Sequence, residues 1–405
     1  MDNLRVEAEK IFETLSWPQQ SWESWRRTPL EKIKLEDRFR EHPSFTNGKG
    51  KASRTSPLIE EGQPRNGWAL EVHWITDSWK CYRTEDASRV ELYDWFIHLP
   101  EEATPVLEKR MQGLSDRLQA WNLAYPTHGL LLKVPPHTRL LKPILIQLEA
   151  DGNTLLSLPH LLILMGKDSE AQVVVRFDGR KTAGIFYSGG ITYQGEENSQ
   201  GTLVVDRLLP SEGKFFLSFE GYLQRDATLN SLEVHLGGVL SKTTWKAILE
   251  EAGAKADLRG VYVATPRSHI EMELTQSHRS GHTQSNSLYK GAVASGGKSV
   301  FQGLIVVGKG AAKTDAYLAN RNLLLGSGAR ADSIPRLVIG NDDVRCTHGS
   351  TTGRIPEGQL FYLRSRGLPD REARRLLIEG FFEEVVSKVP EIYRDDVVNR
   401  ITEAL

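Results

Sequence analysis

Short apolar runs that are separated by glycine, aspartate and asparagine dominate the sequence between residues 143 and 339. Each run is too short for a helix, and most are rich in valine, isoleucine and leucine, which favours β-strands. Runs of this length and spacing are typical of an antiparallel β-sandwich or of the coils of a β-solenoid. The clearest are Pro143–Glu149, Leu161–Met165, Val173–Phe177, Leu304–Val307, Leu323–Leu325 and Arg336–Ile339.

A recurring turn favours the solenoid. The segments Gly253–Asp257, Ala311–Asp315 and Gly328–Asp332 share the pattern small, Ala, basic, small, Asp. In a solenoid every coil turns at a corresponding place, so small residues stack at tight corners, and we expect each aspartate to bond local backbone N–H groups. Because the same pattern occurs in ordinary turns, three copies favour the solenoid without excluding the sandwich.

Amphipathic helical patterns lie at both ends of the chain. Residues 2–16 and 101–124 carry apolar residues at spacings of three and four, and Pro369 and Pro390 each begin a helical segment in the tail. A stripe in this tail is expected to pack onto the β region. It is formed by Ala373, Leu377, Phe381, Val385 and Val389.

The distribution of tryptophan divides the chain, since eight of the nine tryptophans precede residue 126. We therefore predict a mainly helical, tryptophan-rich region over residues 1–125, a β core over 126–352 and a helical region over 353–405. Within the first region, His42–Gly67 is rich in Gly, Pro, Ser and Lys and predicts a loop.

Composition and charge exclude several classes of protein. A chain of 405 residues with 39% hydrophobic and 25% charged residues is typical of globular proteins, and a net charge of -1 gives no field that favours nucleic acid or a membrane surface. No apolar run approaches the length of a transmembrane helix, and the N-terminal residues lack the apolar region of a signal peptide. Two cysteines, Cys81 and Cys346, are too few for a disulfide scaffold and suit a reducing cytoplasm, where we expect the protein.

Two segments partly match known ligand-binding sequence motifs but lack features that those motifs require. Gly291–Ser299 nearly matches a phosphate-binding P-loop, but Ala292 replaces the first glycine, and a strand-like run follows where a helix should begin. A solenoid corner is the better interpretation. His278 and His282 stand four residues apart, but the Ser, Gly and Asn around them argue against the helix that would bring them together as metal ligands.

The segment Asn341–Gly353 contains the candidate site. Cys346 and His348 stand two residues apart, so in a strand their side chains would share one face. One thiol and one imidazole, without a second cysteine or an acidic residue at metal-ligand spacing, are too few for a complete mononuclear metal site. The residues leave open an incomplete half-site that another subunit completes, and an ordinary buried cysteine beside a histidine.

The sequence from Ser285 to Phe381 resembles the SufB/SufD family of iron–sulfur cluster assembly proteins. The motifs that carry the resemblance are Leu288–Gly291, Phe301–Gly303, Lys313–Tyr317, Asn322–Leu325, Asp342–Gly349, Gln359–Gly367 and Glu372–Phe381. Ala120–Pro135, Lys142–Ile146 and Trp25–Leu30 extend it toward the N-terminus. Within the family, the Cys-x-His-Gly sequence and the tryptophan-bearing N-terminal segment are similar to SufD, whereas SufB-like chains are longer and usually carry more cysteines.

The resemblance implies a mainly β protein, with a right-handed parallel β-helix (a β-solenoid) between N-terminal and C-terminal α-helical regions. It further implies a non-catalytic scaffold subunit that pairs with a SufB-like chain through its terminal β-coils. A SufC-like ABC-type ATPase would dock on the C-terminal helices, between about Ile355 and Leu405. The docking candidates are Phe361, Arg364, Arg366, Arg374, Glu379 and Phe382.

The same resemblance gives the candidate site a role. His348 first, and Cys346 second, would lie at the interface with the SufB-like chain as ligands or polar groups for a nascent iron–sulfur cluster or for iron. A cluster that bridges two chains needs only part of its ligands from each. This chain alone would then hold no stable cofactor.

Two alternatives stay open. A SufB-like paralogue or a homodimeric scaffold would carry the same motifs. A β-helix enzyme acting on polysaccharides would use Asp342 and Asp343 as acid and base. The family resemblance counts against the enzyme, and an acidic pair before a strand is usually a solvated turn.

Overall fold

The structure is a computed structural model, and it describes residues 2–33, 58–60, 62–65, 67–75, 78–95, 97–150, 152–153 and 155–405. Most of the predicted loop His42–Gly67 lies outside the described residues. The helices are α1 (Asp2–Thr14), α2 (Ala103–Gln112), α3 (Arg117–Ala124), α4 (Glu357–Ser365), α5 (Asp370–Val386) and α6 (Glu391–Glu403).

The helical pattern predicted over residues 101–124 is interrupted in the structure. Helix α2 ends before Gly113, and α3 starts after Asp116, whose side chain accepts a hydrogen bond of 2.9 Å from the backbone N–H of Gln119. An aspartate in this position caps a new helix by satisfying one of its free N–H groups. The single helix suggested by spacing is therefore two helices separated by a capped turn.

Two long sheets contain the strands of the molecule. The first sheet, sheet A, has the spatial order β1-β3-β2-β6-β9-β11-β13-β15-β17-β19-β21. Its strands are β1 (Leu58–Glu60), β2 (Leu70–Ile75), β3 (Ser78–Arg83), β6 (Ile144–Glu149), β9 (Glu170–Asp178), β11 (Gln200–Leu208), β13 (Thr228–Leu236), β15 (Lys255–Ala264), β17 (Gln284–Val293), β19 (Asp315–Leu324) and β21 (Arg345–Arg354).

The second sheet, sheet B, has the spatial order β20-β18-β16-β14-β12-β10-β8-β5-β4, and the short β7 also pairs with β10. Its strands are β4 (Glu91–Asp94), β5 (His128–Val134), β7 (Leu156–Ser157), β8 (Pro159–Met165), β10 (Phe186–Gly195), β12 (Lys214–Leu223), β14 (Leu240–Leu249), β16 (His269–His278), β18 (Lys298–Val307) and β20 (Arg330–Ile339).

The chain alternates between the two sheets, so that each coil adds one strand to each sheet and about 8 turns are stacked. The coils pair in parallel and in register, as in the column Gln200, Thr228, Lys255 and Gln284 of sheet A. The β-solenoid is thereby confirmed, with helices at both ends. The sandwich is excluded because its strands would pair antiparallel.

The first 125 residues, for which a mainly helical region is predicted, also contain four strands within their described part. Strands β1, β2 and β3 extend sheet A, and β4 extends sheet B, with antiparallel pairing between β2 and β3 and between β4 and β5. These strands close the N-terminal end of the solenoid. The sequence signal was missed because short strands next to a Gly- and Pro-rich segment lack a long periodic pattern.

The three repeated turns lie at solenoid corners, as expected, but not at equivalent ones. Two precede strands of sheet A and the third precedes β20 of sheet B. The alanine that the three turns share is fully buried at Ala254 and half-buried at Ala312 and Ala329. The expectation for the aspartates is wrong for Asp257, which pairs with the side chain of Arg259 at 2.6 Å, and Asp332 pairs likewise with a neighbouring arginine. Both aspartates already lie inside strands, where the ladder uses the backbone N–H groups.

The interior between the sheets, called the lumen below, is filled by side chains whose sizes are matched from coil to coil. Tyr289 in β17 lies over its register partner Gly260 in β15 and donates a hydrogen bond to Glu233 one coil further back. In the opposite direction, Tyr262 lies over Gly291. A Cβ atom on either glycine would overlap the tyrosine ring, so each glycine makes room for a side chain of the neighbouring coil.

The N-terminal segment crosses the outer face of sheet B and is held there by polar contacts. Lys242 and Glu271, both almost fully buried, form an ion pair at 2.8 Å. Lys242 also donates to the backbone oxygen of Ser24 at 2.7 Å, and Thr28 donates to Glu271 at 2.7 Å. The ring of Trp25 lies 4.9 Å from the Lys242 ammonium. A buried ion pair thus receives its remaining partners from the segment that covers it.

The C-terminal helices cover the outer face of sheet A. Buried Asp206 of β11 pairs with Arg400 of α6 at 2.8 Å and accepts a hydrogen bond from Tyr393. The apolar stripe of α5 differs from the predicted one, because Leu377 and Phe381 are only half-buried. The buried residues of α5 are Ala373, Ile378, Phe382, Val385 and Val386, and Val389, just beyond the helix, is also buried. A stripe with strict four-residue spacing winds around a helix of about 3.6 residues per turn, so part of it leaves the covered face.

We predict that Gly260→Ala destabilises the protein by about 1–3 kcal/mol, because the added methyl group must displace the Tyr289 ring within a packed lumen. Gly353→Ala is the matched control, since this glycine of β21 has open space where the added methyl group would lie, and we expect it to be neutral. Urea unfolding monitored by circular dichroism measures both. Equal stabilities of the two variants would contradict the packing argument.

We predict an acid-side loss of stability that depends on Glu271. Burial by itself would raise its pKa, but Lys242 and hydrogen bonds from His269 and Thr28 outweigh burial and lower the pKa to about 2. Since the folded-state pKa is depressed, this stabilisation is complete above pH about 4.5 and is lost as pH falls toward about 2, amounting to about 3 kcal/mol.

The measurement compares unfolding free energies at pH 7, 4.5 and 3 for the wild type and for Glu271→Gln. The variant is less stable at pH 7, and the difference narrows on acidification. Glu273→Gln is the control, because burial raises the pKa of Glu273, so this carboxylate is not the source of the stability that is lost at low pH. The Glu273→Gln variant should still lose stability on acidification, as the wild type does. A constant difference across pH for Glu271→Gln would refute the assignment.

Candidate functional site at the open end of the solenoid

The last coil of the solenoid is uncovered. Strand β20 pairs with β18 and ends sheet B, and β21 pairs with β19 and ends sheet A. Within the described residues no further strand lies beyond them, so both present a free edge of ten residues. A long free edge is a template for pairing with another chain.

The side chains of β21 continue the columns of the lumen. Register pairing places Cys346 beside Ala316 and His348 beside Leu318, and both partners are buried inside the solenoid. Because neighbouring positions in register share a face, Cys346 and His348 face the lumen side of the open end. The prediction that both lie on one face of one strand is therefore met by the structure.

Cys346 is half-buried against the edge of the apolar core. Burial raises the pKa of its thiol, and the negative charge of Asp315 raises it further. The thiol is therefore protonated at neutral pH in the isolated chain. It becomes a good metal ligand only when a cation or a partner's positive charge offsets both effects.

His348 is exposed, and its imidazole is available to a ligand on the uncovered side of the coil. Its neighbours in the same row, Cys346 on one side and Ser350 on the other, are spaced by two residues along the strand. Among the described residues, no group of three or more His, Cys, Asp and Glu side chains is arranged to hold a metal ion. The donor set at this end is one thiol and one imidazole, which is part of a coordination sphere.

A hydrogen-bonded track joins the open end to the lumen. Asn322 donates to Thr352 of β21 at 3.4 Å and to Asn320 at 2.8 Å, and it accepts from the hydroxyl of Tyr262. Asn320 in turn donates to the Tyr262 hydroxyl at 3.0 Å. The sequence interpretation missed this track. Alternating polar residues in β19, at Asn320 and Asn322, were its only signal.

Other sequence candidates have structural explanations. Lys298, the lysine of the P-loop-like motif, is the first residue of β18, so the motif is a solenoid corner as predicted. His278 is buried and bonded by Thr283 and Ser285, both at 2.8 Å, and burial lowers its pKa to about 4. Asp343, proposed for the polysaccharide alternative, pairs with Lys313 at 2.8 Å in an exposed turn.

The C-terminal helices present a second surface. Phe361 of α4 is 73% exposed, beside Tyr362 at 55%, and the Arg366 guanidinium lies 5.2 Å from the Tyr362 ring centre. Adjacent exposed aromatic side chains on a helix are unusual unless a partner covers them. Tyr362 was not among the docking candidates, although it follows Phe361 directly.

The remaining docking candidates are engaged to different extents. Arg364 and Arg374 share Asp370, at 3.5 and 2.6 Å. Glu379 accepts hydrogen bonds from Arg375 and Thr402.

Phe382 is a correction to the predicted docking set. Its side chain is 1% exposed, and it packs between α5 and sheet A. It lies one position along the helix from half-buried Phe381 and faces the core, so it supports the helix and presents no surface.

Comparison with known proteins places the chain in a family. A family model described as SUF system FeS cluster assembly, SufBD core domain, matches residues 147–381. An iron–sulfur cluster assembly SufBD family protein of Mycobacterium tuberculosis is 32% identical over 288 residues, which are 69% of this chain and 72% of that protein. The chain belongs to the SufBD family.

The iron–sulfur cluster assembly protein SufD of Escherichia coli (strain K12) is 30% identical over 306 residues, 73% of this chain and 72% of that protein. A SufBD family protein of Synechocystis is 27% identical over 305 residues, 72% of this chain and 67% of that protein. The part matched by the SufBD family runs from β6 into α5 and includes Cys346 and His348. None of the helices among the described residues is long and apolar enough to cross a membrane.

We predict that Asp315→Asn raises the rate at which iodoacetamide alkylates Cys346 at pH 8 by about twofold, because the loss of a nearby negative charge raises the thiolate fraction. Intact-mass spectrometry follows the reaction. Asp343→Asn is the matched control, since Lys313 neutralises Asp343, and we expect an unchanged rate. Cys346→Ala should abolish labelling because Cys81 is buried, and labelling of that variant would contradict the assignment.

Proposed function

We propose that this chain is a SufD-like, non-catalytic scaffold subunit for iron–sulfur cluster assembly, and that its open end pairs with a SufB-like chain. The observation that carries the proposal is the uncovered last coil, which presents two free strand edges around a lumen-facing thiol and imidazole. An edge of this length, with exposed apolar residues such as Ile339 at 42%, is stabilised when another sheet continues the ladder.

The incompleteness of the donor set supports pairing. Iron in a cluster takes several ligands, and this end offers His348 and Cys346. A second chain that continues the solenoid would bring its own side chains over the same lumen rows. In the proposal the cluster or iron is the cargo of this joint site, with His348 as the first ligand and Cys346 as the second.

The C-terminal surface supports docking of a SufC-like ATPase. Phe361 and Tyr362 of α4, with Arg366 directly after its end, form an exposed aromatic and cationic patch, and Leu376 on α5 is 50% exposed. Such a patch gives apolar anchors and a charged rim, which are the features of a protein interface. Helix α5 is also tied to sheet A, because Lys290 of β17 pairs with Glu384 at 2.8 Å, so a force on the patch would reach the coils next to the site.

The first experiment co-expresses the tagged chain with SufB-like and SufC-like proteins and measures which of them co-purify. We expect a complex of all three. Ile339→Asp places a charge on the lumen side of the free edge and should release the SufB-like chain. The neighbouring Val338→Asp is the matched control, because Val338 is more exposed, at 57%, but lies on the outer face.

In the same experiment Phe361→Ala with Tyr362→Ala should release the SufC-like ATPase and keep the SufB-like chain. Leu141→Ala, at an 82% exposed leucine far from the patch in sequence, is the control. Association of this chain with itself and not with a SufB-like protein would favour the homodimeric scaffold. Absence of any complex would overturn the proposal.

The role of His348 is tested separately in cells that depend on this pathway. His348→Ala should leave the complex intact and lower the activity of iron–sulfur enzymes, whereas Ser350→Ala, at the next lumen position, should change it little. Normal enzyme activity in the His348 variant would remove His348 from the site.

A further inference from the structure

A buried arginine inside the solenoid forms no ion pair or hydrogen bond with a carboxylate of the described residues. Arg207 of β11 is 2% exposed, and its Nε and Nη2 atoms make no hydrogen bond within the described chain. It forms no ion pair with any carboxylate that the structure describes. Burial lowers its pKa to about 9, so the guanidinium still carries its charge at neutral pH. A buried charge of this kind requires a compensating charge or dipoles.

Polar atoms without hydrogen bonds lie in the next coil beside this guanidinium, whereas its register partner in the preceding coil is Phe177. His235 is the register partner of Arg207 on the adjacent strand, and its Nδ1 atom is buried without a hydrogen bond. The Arg207 guanidinium lies 4.9 Å from the ring centre of Phe215, and the register partner of Phe215 is Ser241, whose hydroxyl is likewise buried and unbonded. Four unsatisfied polar atoms from three residues therefore gather at one corner of the lumen.

The two nearby carboxylates attract the Arg207 charge, but neither forms an ion pair with it. Asp206 precedes it, but that side chain is on the outer face and binds Arg400 and Tyr393. Glu233 lies in the lumen, where it is bonded by Tyr289 and by His235 Nε2 at 3.1 Å. Burial raises the pKa of Glu233 to about 7, so this carboxyl is partly protonated at neutral pH.

We propose that this corner of the lumen holds a small monovalent anion of the size of chloride or bromide. Arg207 binds it through Nε and Nη2, and the Ser241 hydroxyl and His235 Nδ1 complete its shell. In this arrangement the Glu233 carboxyl is protonated and donates a hydrogen bond to His235 Nε2. The neutral imidazole then carries its own hydrogen on Nδ1, and that N–H donates to the anion. The anion then balances the arginine charge and satisfies all four atoms. This inference is independent of the proposed scaffold function.

The test purifies and crystallises the full chain with sodium bromide as the only added halide. We expect an anomalous bromide peak within hydrogen-bond reach of Arg207 Nε or Nη2. Chloride retained from the cell would give a peak at the same place at long wavelength, and it would also support the proposal. Only water, without anomalous signal, at these donors would overturn it.

Two variants test whether Arg207 binds the bromide that gives the anomalous peak. Arg207→Met removes the charge with little change in volume and should abolish the peak. Arg110→Met is the matched control, because Arg110 is equally buried but lies on the outer face, where it pairs with Glu220 at 2.7 Å and bonds Ser218. We expect the control to retain the peak. A peak that persists in Arg207→Met would exclude Arg207 as the ligand.

A solution measurement needs no crystals. Bromide replaces sulfate at constant ionic strength, and because sulfate itself stabilises folded proteins, the melting temperature of each protein is compared with that of Arg207→Met in the same buffer. This difference should grow with the logarithm of bromide concentration for the wild type and for Arg110→Met, since a ligand that binds only the folded state stabilises it by mass action. Equal bromide responses in the wild type and Arg207→Met would overturn the assignment even if the variant is less stable.

Discussion

Parallel stacking in register is the constraint on which the rest of the molecule depends. Each lumen position belongs to a column that passes through successive coils, so a side chain in one coil defines the space available in the next. Gly291 must lack a side chain because Tyr262, one coil earlier, occupies its space. Gly260 must likewise lack a side chain, because Tyr289, one coil later, occupies its space. The lumen is therefore specified by pairs of residues about one coil apart, and no single position is independent.

The same stacking produces the candidate site. A solenoid has two ends, and each must be capped or covered. The N-terminal end is closed by β1 to β4 and by tryptophans that include Trp74 and Trp79, both nearly fully buried. The C-terminal end stops at β20 and β21, so the columns that would continue the lumen end in Cys346, His348, Ser350 and Thr352. Chemistry that requires a second chain is most easily built at such an end, because the partner's strands extend the same columns.

Buried polar contacts attach the helical regions to the solenoid. Lys242 and Glu271 hold the N-terminal segment on sheet B, and Asp206 with Arg400 holds α6 on sheet A. Buried ion pairs add little net stability compared with apolar packing, but they are costly to leave half-satisfied, so they fix one arrangement. Arg207 lacks any such partner among the residues that the structure describes. At this corner of the lumen the guanidinium has apolar neighbours in Phe177 and Phe215, and the same columns continue into polar His235 and Ser241 in the next coil.

Much of the architecture could be predicted from the sequence, and the reasons are local. Short Val-, Ile- and Leu-rich runs and repeated small-residue turns indicated coils, and the motif order from Leu288 to Phe381 indicated the family. Less could be predicted where the outcome depends on packing. The direction of Phe382 into the core followed from how α5 lies on sheet A, and the strands between residues 58 and 94 join sheets whose other members lie far along the chain.

The sequence by itself determined that Cys346 and His348 share one face of a strand, because side chains alternate along any strand. Only the tertiary structure decided that this face is the lumen side of an uncovered coil. It also decided that Arg207, His235 and Ser241, which no motif singles out, meet at one corner of the interior. The physical reason is that alternation is a property of the local backbone, whereas the neighbours of a lumen side chain come from coils about thirty residues away and are set by the register of the stack.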